Sequence, residues 1–104
     1  MHKIDAIHPG EVLKTEFLDA FNISAYRLAK DLHVPVNRIT GIVNGQRNIS
    51  PETALMLSKY FGLSNAFWIR MQAYYDEAVT SERIVGLLAA ISPMQRVEGV
   101  FYGG

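Results

Sequence analysis

The sequence predicts an all-α fold. Apolar residues recur at three- and four-residue intervals in successive stretches, and helix-capping and helix-stopping residues punctuate those stretches. No segment before the tail Val97–Tyr102 alternates apolar and polar side chains with the period of a strand, and that tail reads either as a short strand or as a disordered end. A chain of 104 residues has room for one domain.

His8-Pro9-Gly10 precedes the first amphipathic run, in which Val12, Leu13, Phe17, Leu18 and Phe21 share a face and Asn22 marks the end. Ser24 is the N-cap expected for a second helix over about 25–33, with Leu28 and Leu32 on one face and Ala29 small. Val34-Pro35 breaks it. A third helix is expected over about 35–44, with Ile39, Ile42 and Val43 inward and Asn44-Gly45 as its stop. Ser50-Pro51-Glu52 combines a cap, a first-turn proline and an acid at the positive dipole end, and Gly62 closes that fourth helix. Ser64 is expected to cap a fifth helix to about Ala78, with Trp68, Met71 and Tyr75 packing in the core. The apolar run Ile84–Ile91, ending at Ser92-Pro93, is expected to pack on a second subunit more than on its own core.

Composition narrows the function. Hydrophobic residues are 49% and charged residues 19%, which places the chain among folded domains. The absence of cysteine excludes disulfides, thiolate zinc sites and cysteine nucleophiles. No apolar stretch approaches the roughly 20 residues of a membrane helix, and Met1-His2-Lys3-Ile4-Asp5 lacks a signal peptide's apolar run, so a cytoplasmic protein with no membrane association is expected. His2, His8 and His33 have no metal-ligand spacing. Glu11 and Glu16 are expected on a solvated face, and Asp76 and Glu77 at a helix end. No nucleophile–base pair stands out, so neither an enzyme nor a cofactor is expected.

Net charge is zero, from ten Lys+Arg and ten Asp+Glu, but its distribution is uneven. Residues 24–49 carry Arg27, Lys30, Arg38 and Arg47 against Asp31, whereas residues 1–23 are net acidic. Any anion-binding face belongs to that basic island. The same stretch reads SAYRLAKDLHVPVNRITGIVNG: two short helices joined by a tight connection, with Ala29 where the pair would cross. In such a unit the start of the second helix enters the major groove. Val36, Asn37, Arg38, Thr40, Gly41 and Asn44 are expected to face outward. Arg pairs with guanine and Asn with adenine, Val36 suits a thymine methyl, and Gly41 admits close backbone approach. Arg47 and Asn48, just past the helix, are candidate phosphate contacts, and Ser24 and Tyr26 open the preceding helix, whose N–H groups face a phosphate in this geometry. Lys30 and Asp31 are expected to be solvated.

Three stretches together, HPGEVLKTEFL, YRLAKDLHVPVNRITGIVNGQRNISPETALMLSKYFG and AFWIRMQAYYD, resemble the HigA/VapI-type antitoxins of the lambda-repressor-like helix-turn-helix superfamily, from about His8 to Asp76. The resemblance implies a five-helix helix-turn-helix domain, here residues 1–80. The segment after Asp76 matches no feature of that family, and residues 81–104 are expected from their own apolar run to form an additional C-terminal helix and tail that serves in dimerisation. The resemblance also implies a homodimer on double-stranded DNA bearing an operator palindrome, repression of its own operon, and neutralisation of a HigB-type toxin, an mRNA-cleaving endonuclease. Three positions depart from the common pattern: His33 replaces a turn glycine, Pro35 a Ser or Thr cap, and Gly41 a longer polar reader. These departures motivate one alternative, a toxin-neutralising interaction protein with weak DNA binding; a further alternative is a solitary regulator, which the absence of a neighbouring toxin gene would favour.

Overall fold

A computed structural model describes residues 6–95, and all regular structure among them is helical. In chain order there are α1 (Pro9–Val12), a π-helical segment (Leu13–Asp19), α2 (Ala25–Leu32), α3 (Val36–Val43), α4 (Pro51–Phe61), α5 (Ala66–Arg83) and α6 (Val85–Ala89). The tail Val97–Tyr102 lies outside the described residues.

The chain enters α1 through His8. Its Nδ1 accepts the N–H of Gly10 at 2.9 Å, and Pro9 occupies the first turn, where a missing N–H is harmless. Gly10 lets α1 cross the end of α3. A β-carbon at that position would come within 1.7 Å of the Ile42 carbonyl oxygen. The regular α-helix expected over the next stretch is instead π-helical. Its wider turn, with hydrogen bonds closing over five residues, suits Leu13 and Leu18: five positions apart, both are buried. Phe17, in the same segment, places its ring 4.7 Å from Phe61 and 5.0 Å from Trp68.

Three helical stretches end in the same way. Asn22, His33 and Gly62 have left-handed backbones, with φ of 55°, 62° and 71°. After each, an N–H reaches back five residues: Ile23 to Leu18, Val34 to Ala29, and Leu63 to Ser58. This is the Schellman closure, which satisfies carbonyls that a helix end leaves unpaired. Serines start two helices as expected. Ser24 accepts the N–H of Arg27 at 3.0 Å, and Ser50 that of Thr53 at 3.2 Å. Ser64 does not cap the fifth helix. Asn65 takes the N-cap position without a side-chain bond, and Ser64 contributes its carbonyl to the N–H of Phe67. No Gly or Pro lies between Ala78 and Arg83, so α5 runs on to Arg83 and residue 80 lies inside it.

One core joins these helices. Leu13, Leu28, Ile39, Leu57 and Trp68 are fully buried, and Ala29 lets α2 and α3 approach closely. The expected packing of Trp68 is observed, with Met71 and Tyr75 half-buried beside it and Tyr75 edge-on to His8. Asp31 is exposed, as expected, and also holds two partners. Its carboxylate accepts the Tyr60 hydroxyl from α4 and the Arg27 Nε–H at 3.3 Å, tying α2 to α4. The Tyr60 hydrogen bond is the main reason the Asp31 carboxyl titrates below its usual range, and Arg27 adds to it; the same bond raises the Tyr60 phenol. Beyond Ile84, α6 buries none of its residues.

Candidate nucleic-acid interface

Helices α2 and α3 and the turn between them form the site. Leu28, Ala29 and Leu32 from α2 meet Ile39 and Ile42 from α3 in the core. That packing fixes which face of α3 is free. Pro35 precedes α3 in an extended conformation and supplies no side-chain cap, and His33 makes the left-handed turn usually assigned to glycine.

The free face carries most of the residues expected from sequence. Val36, Asn37 and Asn44 are exposed, and Arg38 and Thr40 are half-buried. Ser24 and Tyr26 are exposed at the start of α2, and Arg47 and Asn48 are exposed after α3. Gly41 is a correction: it does not face outward. The chain turns at Gly45, φ 77°, and folds back over α3, so that the N–H groups of Gln46 and Arg47 both bind the Gly41 carbonyl, at 2.9 and 3.0 Å. The Arg47 stem then lies on Gly41, where a β-carbon would come within 2.6 Å of Arg47 Cδ. Gly41 is buried because it is covered by one of the residues it was expected to accompany. Asn44, expected to share the left-handed stop, has φ −84°, and Gly45 alone makes that turn.

The electrostatics sharpen the site. Asp31 occupies Arg27 in an ion pair, which removes one cation of the basic island. Arg38 and Arg47 have no ion pair among the described residues, so both charges are available to an anion. The α2 N-terminus lies on the same unit. Its Ser24 cap satisfies the Arg27 N–H, while the first-turn N–H groups precede any intrahelical acceptor.

Sequence reasoning missed Gln72. This α5 residue is buried, and its Oε1 accepts the N–H of Ile49 at 2.8 Å, just after Arg47 and Asn48. The available signal was a polar residue four positions after Trp68 and three before Tyr75, on an otherwise apolar face. No three His, Asp or Glu side chains among the described residues are grouped to hold a metal, and no described helix is long and apolar enough to cross a membrane.

A short helix capped by serine, a left-handed turn and a second helix with a polar free face define a helix-turn-helix domain. The helix-turn-helix family profile matches residues 15–67. Virulence-associated protein I of Dichelobacter nodosus is 48% identical over 75 residues, 72% of this chain and 69% of that protein. The Pseudomonas aeruginosa antitoxin HigA, solved with the higBA promoter, superposes with a TM-score of 0.84 at 37% identity, covering 88% of this chain and 100% of that one. A HigA-family addiction module antidote protein from Coxiella burnetii gives 0.81 at 38% identity, over 88% and 100% of the two chains. The chain belongs to the helix-turn-helix family and, within it, to the HigA/VapI-type antitoxins.

Proposed function

We propose that this protein is a sequence-specific DNA-binding repressor and the antitoxin of a HigB-type pair, acting in the cytoplasm on its own promoter. The observation that carries the reading is the free face of α3, with Asn37 and the unpaired cation of Arg38 presented together and Arg47 and Asn48 beside them. Asn37, Arg38, Thr40 and Asn44 are the base readers in this proposal, with Val36 on a thymine methyl. Ser24, Tyr26, Arg47 and Asn48 hold the backbone, and Gly41 acts from beneath Arg47. Relatives crystallised with promoter or operator DNA support the reading.

Phosphate neutralisation dominates DNA affinity, and one protomer of zero net charge with few unpaired cations in its basic island supplies little of it. A homodimer doubles the footprint and places two α3 helices about 34 Å apart, one turn of B-DNA, on an operator palindrome. Repression is then steric. Residues 81–104 are assigned to the dimer contact, because α6 presents unburied apolar side chains. No catalytic or cofactor role belongs to this reading.

Fluorescence-anisotropy titration against DNA upstream of the gene, with random competitor at two salt concentrations, tests it. Tight, competitor-resistant, salt-sensitive binding is expected. Binding no better than to random DNA refutes a self-contained repressor. The burial of Gly41 removes the close backbone approach expected there and favours a second reading, in which toxin neutralisation is the main task and DNA binding auxiliary. Rescue of a co-expressed toxic neighbour by the Arg38→Ala variant separates the two tasks.

A further inference from the structure

We propose that Gln72, on α5 and outside the helix-turn-helix unit, is a positioning residue for the phosphate-contacting pair Arg47 and Asn48; this rests on the DNA-binding reading above. The two residues are held between two anchors. At one end the Arg47 N–H binds the Gly41 carbonyl at 3.0 Å, and at the other the Ile49 N–H binds Gln72 Oε1 at 2.8 Å. Both partners of the second anchor are shielded from solvent, with Ile49 4% and Gln72 7% exposed. Water therefore competes poorly for that bond, and its loss leaves a buried N–H unpaired.

The direction of the Gln72 amide is fixed as well. Its Nε2 donates to Asp76 Oδ1 at 2.9 Å, one helical turn further along α5. An ionised carboxylate only accepts, so the amide nitrogen faces Asp76 and the oxygen faces Ile49. The relay runs from Asp76 through Gln72 to the Ile49 N–H, and from there to the exposed side chains of Asn48 and Arg47. Gly41 completes the mount, because only a residue without a β-carbon lets the Arg47 stem lie flat on α3. Gln72 thus sets where the Arg47 charge stands without touching DNA itself.

The test compares Gln72→Met, which keeps length and loses the acceptor, with the double variant Gln72→Glu/Asp76→Asn, which keeps an acceptor toward Ile49 and reverses the bond to position 76. Each is titrated with promoter and random DNA at about 50 and 200 mM salt, at a temperature where circular dichroism shows the native helix content. Gln72→Met is expected to weaken both DNAs alike and to lower the salt slope by about one, so that the affinity ratio between the two salts shrinks about fourfold. The double variant is expected to regain the wild-type slope, which a purely structural role would not require. If Gln72→Met does not fold, Gln72→Asn, which shortens the reach and keeps an amide, takes its place with the same expectation. A wild-type slope in the folded single variant, or a double variant that stays at the lowered slope, overturns the proposal. A wild-type protein without preference for its promoter instead refutes the DNA-binding reading, and the role of Gln72 falls with it.

Discussion

The short helix α6 is richer in apolar residues than the bundle up to Gln72, yet the two are opposite in burial. Leu13, Leu28, Ile39, Leu57 and Trp68 have no exposed surface, whereas Leu87 and Ile91 are 68% and 66% exposed, with Val85 and Leu88 also in solvent. The bundle residues lie on helices that cross one another, so each apolar face meets another. Helix α6 follows a break at Ile84, whose φ of −109° and ψ of 25° leave the helical range, and it is only five residues long. Apolar content states that a segment needs cover, but the geometry at Ile84 decides that the bundle does not supply it. Four large apolar side chains within seven residues form the kind of surface patch that marks an interface.

Substitutions separate the two regions. Trp68→Ala should have the largest effect on folding, about 3–5 kcal/mol in urea denaturation, because the side chain is fully buried against Phe17 and Phe67. Leu88→Asp should leave the helix content of the bundle intact yet dissociate the dimer in sedimentation, weakening operator binding at least about a hundredfold through lost bivalency. A monomeric wild type, or a loss of folding in this variant, would erase the contrast between the regions. Arg38→Ala should cost about 1–3 kcal/mol on the operator while leaving stability unchanged. Unchanged affinity in gel-shift titration would remove Arg38 from the readers.

Smaller effects lie at the helix ends. His33→Gly should stabilise the domain by about 0.5–1 kcal/mol, since the left-handed penalty of a side chain exceeds the entropic cost of glycine. Gly62→Ala at the equivalent turn should lose a similar amount, and thermal melts of both variants check the pair. The smallest effect is pH-dependent. The Asp31 carboxyl is lowered by Tyr60 and Arg27, so its stabilising contribution is present above about pH 3.9 and fades as pH falls through its folded value. Tyr60 is raised, so its contribution is full below about pH 10 and fades as pH rises through its folded value. Tyr60→Phe should lower stability slightly across the neutral range, where both contributions are full, and approach the wild type at both extremes, so that both limbs of the stability–pH curve flatten. An unaltered acid limb would show that the Asp31 contact contributes nothing.

Much of the placement of the candidate interface was legible. Ser24, Asn37, Arg38, Arg47 and Asn48 stand where helical spacing, capping chemistry and charge clustering put them, because those signals operate within a few residues. Gly41 was misread, and the bond of the exposed Asp31 to Tyr60 was unforeseen, for a common reason. Arg47 covers Gly41 by a return of the chain, and Tyr60 reaches Asp31 across 29 positions of sequence. The Ser64 cap is not formed: Asn65, with a helical backbone and no side-chain bond, precedes α5, and Ser64 supplies only its carbonyl to Phe67.

By itself the sequence determined the helical class, the helix-turn-helix unit, its serine caps and the basic island, since period, capping and charge are properties of neighbouring residues. Only the tertiary structure decided that the first helix widens to bury Leu13 and Leu18 together, that Gly41 lies under Arg47, that Gln72 reaches the chain after α3, and that α6 stays uncovered. Each of these depends on which surfaces distant segments present to one another, and periodicity carries no record of that.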